Sequence, residues 1–129
     1  MKKAIQQILD NAKLDSDERS IGAFIGRGKV DEYDQSQILV TSKRVLFGRM
    51  SILMNLERLD SFNNDEILNV IFESTLLGIT AYKITFIFID GKKSEFTVQK
   101  WSLFGSEGAT INEETKRHLE QLKGKTQRA

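Results

Sequence analysis

Basic side chains gather around one predicted hairpin, and they are the residues of this chain best suited to bind an anion. Lys43 and Arg44 join two short apolar segments, and Arg49 ends the second of them. Arg27 and Lys29 belong to the preceding segment and add to the set. Guanidinium and ammonium groups bind phosphate through charge-assisted hydrogen bonds. The sequence therefore predicts a possible anion or lipid patch at these five positions.

An acidic segment two residues after Lys29 argues against a lipid headgroup at this patch. Asp31, Glu32 and Asp34 would repel a phosphorylated ligand. The same acids do not form a calcium loop, because Tyr33 interrupts the alternating oxygen ligands and no glycine follows at mid-loop. We expect a solvated turn here.

The segment Gly26-Arg27-Gly28-Lys29 has some of the residues of a phosphate-binding loop but not their spacing. Such a loop has a first glycine five residues before Gly-Lys and a hydroxyl residue directly after it. Here Ala23 stands at the first position and Val30 at the last. Nucleotide binding is therefore not predicted.

The side chains that catalysis needs are scarce. The chain has no cysteine, and His118 is its single histidine, which excludes thiolate metal sites and a cysteine nucleophile. A serine triad would have to be built on that one histidine. We predict a protein that is not an enzyme, with no catalytic, cofactor-binding or metal-binding residue. The net charge of +1 also gives no field that would draw it to nucleic acid.

Large apolar side chains outside the expected core indicate a second kind of site, a surface for protein contact. A short amphipathic helix at the N-terminus, a strand with two apolar faces and the link before the last helix supply them. The predicted protein-interaction surface consists of Ile5, Ile8, Leu9, Ile87, Ile89, Trp101, Leu103 and Phe104. The helix stripe could cover its own domain or a neighbouring subunit, and we expect the neighbour.

The elements that position these residues follow from periodicity. Apolar residues at helical spacing predict a helix within residues 1–14, and period-two alternation from residue 21 to residue 100 predicts strands in antiparallel succession. Asp90-Gly91 predicts a tight hairpin turn. Asn112 is the expected N-cap of a closing helix. We expect a single domain over 1–129, in which 19–123 form the sheet and capping helix and 124–129 a tail.

Several of these segments resemble the bacterial pleckstrin-homology-like (PH-like) domain family, over residues 19–122. The segments that carry the resemblance are Ile38-Leu39-Val40-Thr41-Ser42-Lys43-Arg44-Val45-Leu46-Phe47, Asp65-Glu66-Ile67 with Leu68, Val70 and Phe72, Lys83-Ile84-Thr85-Phe86, Asp90-Gly91 and Glu95-Phe96. The resemblance implies a mainly β fold, a seven-stranded, partly open antiparallel barrel capped by a C-terminal helix. It also implies a tendency to form homo-oligomers.

The expected function is a non-catalytic interaction module that works by protein–protein contact, either with another protein or with itself as a homo-oligomer. The alternative is a peripheral membrane module that binds anionic lipid through the basic hairpin. No segment approaches the roughly 20 apolar residues of a spanning helix, and a chain without cysteine suits a reducing compartment. A cytoplasmic location is therefore expected.

Overall fold

The structure is a computed structural model, and it describes residues 2–28, 35–51, 53, 55–74, 81–99 and 110–122. Four segments that carry predictions lie outside these residues. They are Lys29, the acidic segment 31–34, the apolar link with Trp101, Leu103 and Phe104, and the tail 124–129.

Seven strands lie between two helices in the described residues. The elements are α1 (Lys2–Ala12), β1 (Ser20–Gly28), β2 (Gln35–Thr41), β3 (Arg44–Met50), β4 (Leu56–Asn63), β5 (Ile67–Ser74), β6 (Ala81–Phe88), β7 (Lys93–Gln99) and α2 (Glu113–Glu120). A single 3-10 turn, Asn64–Glu66, joins β4 to β5. The predicted mainly β fold with a helix at each end is confirmed.

The strands form one antiparallel sheet in the order β4-β3-β2-β1-β7-β6-β5. Strand β1 belongs to both halves, because it pairs with β2 along most of its length and with β7 only from Gly26 to Gly28. Strands β4 and β5 are the two edges, so the sheet is not closed. The expectation of a seven-stranded, open antiparallel sheet is confirmed.

The core lies between the two halves of the sheet, and it is filled by alternate residues of each strand. Phe47 is the aromatic centre, with ring centroids 5.0 Å from Phe86 and 5.4 Å from both Phe62 and Phe96. Leu119 of α2 is fully buried in the same cluster. Alternation in β6 directs Tyr82, Ile84, Phe86 and Phe88 inward, as the sequence predicts, and leaves Ile87 on the outer face.

Two predicted local features are confirmed. Gly91 has a φ of 90° in the β6–β7 turn, a conformation that glycine adopts without steric cost. The Asn112 side chain accepts a hydrogen bond from the Thr115 backbone N–H at 2.8 Å, which makes it the N-cap of α2.

Candidate functional site

Helix α1 packs on the outer face of its own sheet. Ile8 is fully buried against Leu39 of β2 and Leu46 of β3. A Cβ at Gly48 would lie 2.7 Å from Cδ1 of Ile8, so this glycine provides the space that the helix needs. The Leu56 backbone N–H, at the start of β4, also donates to Oε1 of Gln7 in α1 at 2.7 Å.

This packing corrects one part of the predicted interaction surface. The helix stripe was expected to cover a neighbouring subunit, but Ile8 is fully buried within one copy of the chain. Ile5 and Leu9, on either side of it, are half-buried. Leu39 and Leu46 on β2 and β3 supply the apolar surface that covers Ile8, and the sequence periodicity of the helix could not identify them.

The segment that follows α1 folds back over the β2–β3 hairpin and forms a buried ion pair there. Arg44 donates from Nε to Oε2 of Glu18 at 2.9 Å and from its second terminal nitrogen to Oε1 at 3.2 Å. The hydroxyl of Thr41 donates to the same carboxylate at 2.5 Å. A further bond runs from Arg44 to the carbonyl of Ala12 at 3.3 Å, at the C-terminal end of α1. We call Glu18, Thr41 and Arg44 the clasp.

Glu18 of the clasp remains ionised although its side chain is fully buried. Burial acts to raise the pKa of Glu18, but hydrogen bonds from Arg44, Thr41 and the backbone of Asp15 outweigh it, and the pKa lies below the ordinary value of 4.5. The charge of Arg44 acts in the same direction. The clasp is thus a satisfied pair and not a free cation.

Lys43, the neighbouring residue of the basic hairpin, also has acidic partners within the chain. Its Nζ lies 2.6 Å from Asp17 and 3.4 Å from Asp15. The hydrogen bond and charge of Lys43 lower the pKa of Asp17, and the same contact raises the pKa of Lys43. These acids were not part of the predicted patch.

The five predicted anion-binding residues do not come together as one patch. Arg49 pairs with Ser36 and Arg27 with Gln35, at the end of β1–β3 that is far from the β2–β3 turn. Arg49 lies five positions after Arg44 in β3, about 17 Å away at the rise of a strand. Lys29 lies outside the described residues, so the structure divides the remaining four into two pairs at opposite ends.

An open cleft of about 240 Å³ borders the clasp. Its lining residues are Ala12, Lys13, Asp15, Glu18, Lys43, Arg44 and Asn63. Arg44 binds Glu18 and Lys43 binds Asp15, so the clasp does not present an uncompensated acid or base to a substrate. Within the described ranges, His, Cys, Asp and Glu form no group of three that could hold a metal ion.

Of the remaining predicted contact residues, the two within the described ranges, Ile87 and Ile89, lie on the other half of the sheet. Ile87 is half-buried on the outer face of β6, and Ile89, just beyond that strand, is 58% exposed. Ile71 of β5 is half-buried on the same face. The described helices pack elsewhere, α1 against β2–β4 and α2 against β1 and β5 through residues of the core. This face is the candidate functional site.

Sequence reasoning missed the polar residues that surround these isoleucines. Lys83 lies 3.6 Å from Glu95 across β6 and β7, and Glu73 pairs with Lys83 across β5 and β6. Alternation along each strand indicates which residues face outward, but only the register between strands shows which of them are neighbours.

No described helix is long and apolar enough to cross a membrane.

Comparison with known proteins identifies no family, because no family model and no curated protein matches the chain. The fold is similar to that of the hSac2 domain from the human phosphoinositide phosphatase Sac2, with a TM-score of 0.54 and 10% sequence identity. The match covers 94% of this chain and 79% of that domain. At this identity the similarity concerns the fold alone.

Proposed function

We propose that this protein is a non-catalytic interaction module that works by protein–protein contact, and that it assembles with itself. One observation carries the proposal. Ile89 is 58% exposed two residues after Ile87, which lies half-buried with Ile71 on a sheet face over which no described helix packs. Exposed apolar groups that lie together usually mark a partner surface in a protein of this size.

The charged groups of the open cleft favour this proposal over an enzymatic one. A catalytic acid or base must be free to exchange a proton with a substrate. Glu18 is held by Arg44 and Thr41 instead, and Lys43 is held by two aspartates. The proposal includes membership of the PH-like family, and the open sheet agrees with the resemblance to that family. It also includes a cytoplasmic location, which suits a chain without cysteine.

A peripheral membrane module is the second candidate, and a different hairpin from the predicted one favours it. Leu53, in the β3–β4 turn, is 77% exposed. Arg49 and Arg58 are directly opposite each other in the two strands of that hairpin. An apolar tip beside arginines suits an anionic membrane surface. Asp60 weakens this candidate, because its carboxylate lies 2.9 Å from Arg58.

Size-exclusion chromatography with light scattering, over a wide range of protein concentration, tests the proposal. We expect a mass above that of one chain, rising with concentration. Sedimentation with phosphatidylcholine vesicles that contain phosphatidylserine tests the second candidate in parallel. A protein that stays monomeric at every concentration and sediments with these vesicles in a salt-dependent way would reverse the order of the two candidates.

A further inference from the structure

The outer face of β5–β7 carries three side chains from each strand, in register. Asn69, Ile71 and Glu73 of β5 pair with Ile87, Thr85 and Lys83 of β6, and these pair with Lys93, Glu95 and Thr97 of β7. We call these positions the outer array. Their sequence neighbours Val70, Phe86 and Phe96 point to the core, so the array faces away from it.

The outer array has a symmetry that its sequence order conceals. A diagonal runs from Asn69 through Thr85, the central position, to Thr97. On either side of this diagonal, each position has a complementary residue in the mirror position. Ile71 mirrors Ile87, Glu73 mirrors Lys93 and Lys83 mirrors Glu95.

We infer that the outer array is the centre of a two-fold interface between two copies of this chain, an inference that rests on the proposed self-assembly. Two such faces pack together when the two-fold axis lies along the diagonal. Each isoleucine at 71 then meets the isoleucine at 87 of the second copy. Glu73 meets Lys93, and Lys83 meets Glu95. Every contact occurs twice, as a self-complementary two-fold interface requires.

The dimensions of the outer array allow two copies of it to pack together in this way. An axis along the diagonal places the strands of the two copies about 70° apart, which is closer to the orthogonal than to the aligned way in which sheets pack. The array spans about 10 Å across the strands and about 14 Å along them. These two spans differ by about 4 Å, and lysine and glutamate side chains are long enough to bridge that distance.

Charge favours a second copy over another partner. The outer array holds two lysines and two glutamates, so its formal charge is zero and a strongly acidic or basic partner gains nothing overall. Its apolar side chains lie toward one corner, and Ile89, 58% exposed, extends that corner beyond β6. A two-fold arrangement places Ile89 next to Ile71 of the second copy.

Charge reversal at the mirrored corners tests the inference. Lys93→Glu places two glutamates opposite each other, and Glu73→Lys places two lysines opposite each other. We expect each single variant to weaken self-association by about tenfold, as measured by sedimentation equilibrium. The double variant, Glu73→Lys with Lys93→Glu, should return to within about threefold of the unmodified protein. Neither exposed side chain belongs to the core, so circular dichroism should be unchanged.

Two further variants separate the surface from the proposed function. Ile87→Lys should abolish self-association. Leu53→Lys, which changes a side chain that is 77% exposed in the β3–β4 turn, should leave it unchanged. An assembling protein that resists the charge reversals, or dissociates only with Leu53→Lys, would overturn the inference and leave the proposed self-assembly standing. A protein that never assembles would overturn both.

Discussion

Arg44 binds Glu18 through two parallel hydrogen bonds, of 2.9 Å from Nε and 3.2 Å from a terminal nitrogen. The pair connects the segment after α1 to the first residue of β3. The Glu18 side chain is fully buried and that of Arg44 is 19% exposed, so solvent screens the pair little. Arg44, which the sequence analysis assigned to an anion-binding patch, thus holds the N-terminal segment on the sheet.

Replacing Glu18 by glutamine should destabilise the fold strongly. The variant leaves the guanidinium of Arg44 without its carboxylate in a mostly buried position, and such a loss costs about 3 kcal/mol in the free energy of unfolding. Urea denaturation measures it. Asp60→Asn is the matched control, because it breaks an ion pair of the same 2.9 Å length in which the Arg58 side chain is 65% exposed. The control should cost at most about 1 kcal/mol, and equal costs for the two variants would contradict a structural role for the clasp.

The contribution of Glu18 to stability should depend on pH in one direction. Its pKa in the folded protein lies below the unfolded value of 4.5, so the folded state binds fewer protons between the two values. The stabilisation is therefore complete above about pH 5 and is lost as the pH falls through the folded pKa. The difference in unfolding free energy between the unmodified protein and Glu18→Gln should be constant near neutral pH and shrink below about pH 4.5. If this difference in unfolding free energy grew on acidification, the prediction would be contradicted.

Much of the fold could be predicted because the hydrophobic period of two is strong in the strands that face the core. The alternation in β6 and the glycine turn after it are local signals, and so is the cap at Asn112. Strand β4 gave no such signal. Its residues Leu56–Asn63 are mostly half-buried or exposed at an edge of the sheet, so apolar and polar residues do not alternate cleanly there.

The clasp and the candidate site were harder to predict because both depend on pairs that are distant in sequence. Glu18 and Arg44 are 26 residues apart, and no periodicity relates a connecting segment to a hairpin. The isoleucines of the outer face could be identified from the alternation of one strand. Their complementary charges could not, because they depend on the register between β5, β6 and β7, which includes a bulge near Leu68.

The contact of Ile8 with Gly48 predicts a strong coupling between two substitutions. Ile8→Ala should cost about 3 kcal/mol, because it leaves a cavity between helix and sheet. Gly48→Ala should cost about 1–3 kcal/mol, because its Cβ would lie 2.7 Å from Cδ1 and 2.9 Å from Cγ1 of Ile8. Ile8→Ala removes both of those atoms, so the double variant should cost clearly less than the sum of the two. Additive costs, measured by urea denaturation, would contradict the observed packing of α1 on its own sheet.

Vesicle binding offers the last prediction, and it turns on the aspartates beside Lys43. At physiological salt the unmodified protein should bind phosphatidylserine vesicles weakly, because Asp15 and Asp17 hold that lysine at 3.4 Å and 2.6 Å. Replacing both aspartates by asparagine frees the ammonium group and should increase sedimentation with the vesicles. The matched control is Glu57→Gln with Glu114→Gln, which changes the net charge equally at exposed positions elsewhere.

An equal increase in the control would mean that net charge alone governs the binding. Strong binding by the unmodified protein that Lys43→Glu abolishes would contradict the prediction directly, since it would require the lysine to reach lipid despite its aspartates. Repeating the sedimentation at higher salt checks that the increase is electrostatic, because the Debye length falls from about 10 Å at 0.1 M to about 3 Å at 1 M.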